Sequence, residues 1–133
     1  MMTMLLAAFL AAPPADAVIG QWMTETRHGI VHIQRCGASI CGTLVTSDGI
    51  RGDPALPDKN NQDEKLRTRP LKGITMLQGF TQSGGLWDGG TIYNAEDGRT
   101  YKARITPVDA DHLKLRGCVF VPFCKTQTWT RVR

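Results

Sequence analysis

Beyond residue 18 apolar and polar side chains alternate with a period of two. Val31 and Ile33 alternate with His32 and Gln34, and Tyr101, Ala103 and Ile105 with Lys102, Arg104 and Thr106. Leu113 and Leu115 alternate in the same way with Lys114 and Arg116. This spacing marks strands with one buried and one wet face. It predicts strands over 20–26, 29–35, 40–46, 73–81, 86–94, 99–106, 112–118 and 125–132. Turn sequences punctuate them: Gln82-Ser83-Gly84-Gly85, Ala95-Glu96-Asp97-Gly98 and Asp109-Ala110-Asp111. No stretch has an amphipathic helix pattern. About eight short strands joined by tight turns predict an all-β fold, an antiparallel up-and-down barrel whose closure removes exposed edges. A two-sheet sandwich is the alternative. Eight strands enclose room for packed side chains or one small ligand.

One segment interrupts the rhythm. Residues 47–71 show no strand pattern, are dense in Asp, Asn, Lys and Arg, and carry Pro54, Pro57 and Pro70. Loops of this length inside a domain are either functional or disordered. Asp58, Asn60 and Gln62 fit a calcium-loop template loosely, and the template fails where Asp63 replaces its glycine and Arg69 its final glutamate. Arg67 and Arg69 are the sharper candidates. On an extended segment, residues two apart point the same way, and two guanidiniums can grip one carboxylate or phosphate. Asp58, Asn60, Arg67 and Arg69 are therefore the candidate ligand-binding residues, set against the reading that they pair with nearby acids and pin the loop.

At 133 residues the chain makes one domain. The net charge of +4 is scattered along the polar faces of the strands, which argues against nucleic-acid binding. Residues 4–12 form an apolar run too short to span a bilayer, followed by Ala15-Asp16-Ala17, a small-x-small cleavage pattern. Residues 1–17 are thus expected to be a signal peptide, lacking the usual charged n-region, and 18–133 the barrel. The location expected is periplasmic or secreted. Four cysteines fall in two close pairs, each bracketing a reversal, which favours Cys36–Cys41 and Cys118–Cys124 disulfides over a zinc site. His28 and His32, four apart, would share a face of the first hairpin, but a metal would need a third ligand, and no metal or other cofactor is expected. Ser39, Ser47 and Ser83 lack a nucleophile-elbow context. No catalytic residue is identified.

Gly20-Gln21-Trp22 at the first strand, with Arg131 at the end of the last, resembles the lipocalin and wider calycin arrangement, in which the Trp closes one barrel end and the Arg packs across its ring. The order of motifs is more specific. Gly20-x-Trp22-x-Thr24-Glu25, Cys36-Gly37-x-x-x-Cys41-Gly42, Asp58-Lys59-Asn60 and Leu66-Arg67-x-Arg69-Pro70-Leu71-x-Gly73 are similar to the bacterial family catalogued as domain of unknown function 2147. Trp87-x-Gly89-Gly90-x-Ile92-Tyr93, Gly98-x-x-Tyr101, Leu115-x-Gly117-Cys118 and Cys124-x-Thr126-Gln127-x-Trp129-Thr130-Arg131 continue the similarity to the C-terminus. One departure is Asn61-Gln62, where the family tends to have Asn-Pro. The resemblance implies an exported, single-domain β protein, and it brings no activity.

The expected function is non-catalytic binding of a small anionic or lipidic ligand, with loop 47–71 over the barrel mouth. The alternative is an envelope interaction module with a packed barrel and a protein partner. Neither involves nucleic acid or a membrane span in the mature chain.

Overall fold

The computed structural model describes residues 13–133. Strands β1 (Gly20–Met23), β2 (Ile30–Cys36), β3 (Ser39–Thr46), β4 (Thr75–Gln78), β5 (Thr81–Ser83), β6 (Leu86–Asn94), β7 (Arg99–Pro107), β8 (His112–Phe120) and β9 (Phe123–Arg131) form one antiparallel sheet. Its order is β4-β3-β2-β1-β9-β8-β7-β6-β5, and β4 also pairs with β6, which closes eight strands into a barrel and leaves β5 as an addition on β6. The one α-helix among the described residues is the single turn α1 (Asp48–Gly52).

Two differences from the sequence pattern have local causes. The first strand stops at Met23, because Arg27 and His28 take left-handed backbone angles (φ 55° and 48°) that end the extended run. His28 therefore lies in the β1–β2 loop and His32 on β2, so the two do not share a strand face. The expected strand over 73–81 is broken at Gly79 (φ 78°), whose left-handed conformation swings Phe80 into the core and separates β4 from β5.

The inward-facing side chains divide the barrel into two halves. Val18, Trp22, Ile33, Ile40, Trp87, Ile105 and Leu113, all fully buried, fill the end where β2 runs into β3 and β7 into β8. A buried tryptophan removes roughly 200 Å² from water, worth about 5 kcal/mol before entropic costs. A 3₁₀ turn, Ala15–Val18, plugs this end from below. Trp87 Nε1 donates to Ala15 O and Trp22 Nε1 to Val18 O, both at 2.9 Å. The guanidinium of Arg131 lies 4.4 Å from the Trp22 ring centre and donates to Ile19 O, Ala17 O and Ala110 O. A Cβ on Gly20 would stand 2.5 Å from Arg131 Nη1, so this stack needs glycine there. Of the expected leader, residues 1–12 lie outside the described residues, and Ala15 to Ala17 form part of the plug.

Both expected disulfides are present, Cys36–Cys41 at the closed end and Cys118–Cys124 at the opposite end. Each closes a short loop, worth about 2 kcal/mol by loop entropy.

Candidate functional site

At the end away from the plug the barrel is hollow. A cavity of about 1040 Å³ is lined by Leu44, Leu56, Leu71, Met76, Ile92, Tyr93, Tyr101, Leu115, Gly117, Val119, Phe123 and Trp129, among others. Ile92, Tyr101, Leu115, Gly117, Val119 and Trp129 continue the inward parity of the packed end, Leu56 and Leu71 come from the 47–71 loop, and Tyr93 has the opposite parity to Ile92 on β6. Trp129 forms part of the floor, its Nε1 held by Gln127 Oε1 at 3.0 Å. Gly117 contributes no side chain. A Cβ there would find only ordinary contacts, Ile92 at 3.7 Å and Tyr101 at 3.9 Å. The polar groups of the cavity gather at its rim: Arg27, Lys59, Asn60, Glu96, Lys125 and Gln127.

Loop 47–71 is folded over part of this rim. Ser47 caps α1, accepting from Ile50 N at 3.3 Å, and Ile50 is buried beneath. The helix is fastened to the β1–β2 loop by Asp48 N to Arg27 O (2.9 Å), Arg51 Nη2 to His28 O (3.2 Å) and a 2.9 Å contact between His28 Nδ1 and Asp48 Oδ2. The hydrogen bond with His28, with help from the charges of His28, Arg51 and Arg27, holds the Asp48 carboxyl below its ordinary pKa. Beyond α1 the loop doubles back on itself, with Asp58 N bonded to Arg69 O and Leu71 N to Leu56 O, both at 2.9 Å.

Asp58 is the anchor of this second half. It is 1% exposed, and its carboxylate accepts from Tyr93 Oη (2.5 Å), Asn61 Nδ2 (2.9 Å) and Arg69 Nε (3.0 Å). Burial, and then the Asp58 carboxylate, push the Tyr93 hydroxyl up to about 12. Arg69 also lies over the Tyr93 ring, 5.4 Å from its centre. Arg67 Nε donates to Asn61 O at 2.8 Å, and Asn60 Nδ2 donates to Glu96 O at 3.1 Å in the β6–β7 turn. Gln62 Nε2 reaches Asp97 O in the same turn at 3.1 Å.

The four candidate residues are thus close in the fold but differently employed. Asn60 lines the cavity rim; Asp58, Arg67 and Arg69 are engaged in contacts that hold the loop, and Arg69 borders a separate outer cleft. The two guanidiniums do not converge on one point. The segment before them is a 3₁₀ turn, Glu64–Leu66, and Arg67 itself is helical, so the extended geometry assumed for them is absent. Sequence reasoning missed Lys59 and Lys125, which line the rim and join none of the ion pairs among the described residues. Lys59 stands between two residues that were singled out, and the period-two parity of β9 places Lys125 inward with Trp129.

Arg27 and Glu96 meet across the mouth, Nε to Oε1 at 2.7 Å. They come from the β1–β2 loop and the β6–β7 turn, half a barrel apart in strand order. The remaining arc of the rim, at the β8–β9 turn, is spanned by no such contact among the described residues.

The model of a family described as uncharacterized protein conserved in bacteria (DUF2147) matches residues 20–131. The chain belongs to this DUF2147 family. Among solved structures it is similar to a protein from the human pathogen Helicobacter pylori described as belonging to the lipocalin family, with 25% identity, a TM-score of 0.77, and coverage of 87% of this chain and 83% of that one. No curated protein matches the sequence. The fold is a lipocalin-like barrel, and no described helix is long and apolar enough to cross a membrane.

Proposed function

We propose that this DUF2147 protein is an exported, non-catalytic carrier that takes one small ligand, apolar in body and anionic at one end, into the open half of its barrel. The observation that carries this reading is the cavity. Its volume of about 1040 Å³ and its apolar wall with a few rim polar groups are those of a ligand site. The acid–base balance of the rim selects the head group. Arg27 and Glu96 neutralise one another, which leaves Lys59 and Lys125 as two ammonium groups over an apolar shaft. Asn60, whose amide donates to Ala95 O and Glu96 O, would act together with Asp58, Arg67 and Arg69 by fixing the loop that carries Lys59. Two disulfides support an oxidising compartment, and the apolar run at 4–12 supports export, with any cleavage falling before the Ala15–Val18 plug that Trp87 and Arg131 hold. An interaction module with a packed barrel is less well supported, because the upper half of this barrel is hollow.

Dodecanoate and dodecanol are suitable probes, identical in chain and different in charge. Dodecanoate at a hundredfold excess over its dissociation constant should stabilise the protein by about 2.7 kcal/mol, read as a rise in thermal midpoint. Dodecanol should bind more weakly. Lys59→Ala with Lys125→Ala should remove the preference while leaving dodecanol binding in place. A protein that responds to neither probe would contradict the proposal.

A further inference from the structure

The β8–β9 hairpin ends in the most exposed apolar cluster among the described residues. Val119, Phe120, Val121 and Phe123 are 64%, 60%, 73% and 63% exposed. Single exposed apolar residues are ordinary, but four on one tip form a patch of the kind that marks an interaction surface. The tip is also stiff. Cys118–Cys124 ties its two strands one residue below, and the Phe120 and Phe123 rings pack edge to face at 4.9 Å. A tip so tied loses little freedom on docking.

The charge around the tip says what covers it. Toward the tip the β8–β9 hairpin carries Lys114, Arg116 and Lys125, and no Asp or Glu lies between residues 112 and 131. On the outer face, opposite in parity to buried Ala103 and Leu115, exposed Lys102 stands across from Cys118, while Arg104, across from Arg116, is paired with Asp88 at 3.0 Å. An apolar wedge backed by exposed cations fits the interface of an anionic bilayer, where acyl chains receive the wedge and head groups the cations.

We propose that the β8–β9 tip docks the protein on anionic lipid bilayers by inserting Phe120 and Val121 beneath the head groups. Docking stands on the tip's own observations. Its geometric consequence rests on the ligand reading above: Val119, Pro122 and Phe123 also line the cavity, so the unspanned arc of the mouth meets the bilayer and an apolar ligand can pass without crossing water.

Flotation with vesicles tests this. The protein should float with vesicles of phosphatidylcholine plus phosphatidylglycerol and remain behind with phosphatidylcholine alone. Binding should fall with added salt, and about fivefold in Lys102→Gln. Phe120→Ser with Val121→Ser should abolish flotation while leaving the thermal midpoint and dodecanoate binding unchanged. Phe120→Trp should shift its emission to the blue on binding and be quenched by brominated acyl chains. The proposal is overturned if the wild-type chain floats with neither vesicle, floats equally with both, or floats undiminished after the serine substitutions. It is likewise overturned if those substitutions instead dissolve a dimer, because a second copy would then be the occupant. Loss of dodecanoate binding with flotation intact would fault the carrier reading alone.

Discussion

A buried carboxylate normally costs more than it returns, and Asp58 shows what makes one tolerable: three donors arriving from three different places in the chain. Asn61 and Arg69 come from the loop itself and Tyr93 from the barrel wall. Asp58 is therefore the stitch between the two. Removing it leaves three polar groups facing a void, and Asp58→Ala should lower stability by about 3 kcal/mol, measured by urea unfolding at neutral pH. Tyr93 adds a signature in pH. Its hydroxyl is raised from 10.0 to about 12, so the folded protein keeps a proton that the unfolded chain releases. That stabilisation is complete below pH 10 and is lost as pH climbs from there toward 12. Unfolding midpoints of wild type should converge on those of Tyr93→Phe across that interval; parallel curves would show that the phenol is not so held. None of this was visible along the chain. Asp58, Asn60, Arg67 and Arg69 stood out by residue type and spacing, but the partner that explains Asp58, Tyr93, is 35 positions away.

At the scale of elements, loop 47–71 becomes a lid by leaning on two neighbours, the β1–β2 loop through α1 and the β6–β7 turn through Asn60 and Gln62. The second contact leaves no slack. A Cβ on Gly98 would lie 1.7 Å from Asn60 O, and Gly98 has a φ of +71°. Gly98→Ala should release this edge of the lid at a cost of roughly 2 kcal/mol and speed hydrogen exchange at the Gln62 amide, which bonds Gly98 O. Gly37→Ala, at φ +62° with open space around its Cβ, carries the backbone strain alone and should leave that amide protected. If both variants expose it equally, the contact is not what seats the lid. Period-two alternation revealed the strands because it reports burial directly. The lid's internal structure was hidden because turns, a single helical turn and side-chain-to-carbonyl bonds leave no period. The expectation that Arg67 and Arg69 converge failed for the same reason, since it presumed an extended segment where the chain forms a 3₁₀ turn.

Taken whole, the molecule is a barrel filled at one end and empty at the other. The barrel and its two disulfides were legible: alternation, turn spacing and cysteine pairing are local features that agree with each other. The hollow was not. Inward positions have the same parity in both halves, and what distinguishes them is size and convergence in space. Trp22 and Trp87 crowd the plugged end, whereas Gly117 stands where a side chain would reach into the open half. Emptiness is the property on which the carrier reading depends, and Gly117 offers a way to remove it without touching the rim. Its Cβ position is free of clashes, so Gly117→Leu should fold and place a branched side chain inside the cavity. The decisive measurement is calorimetric titration of dodecanoate into wild type and Gly117→Leu. Wild type should show one site per chain, and the variant at least about tenfold weaker binding, a loss of some 1.4 kcal/mol. Equal binding by both proteins, or none by the wild type, would contradict the carrier reading.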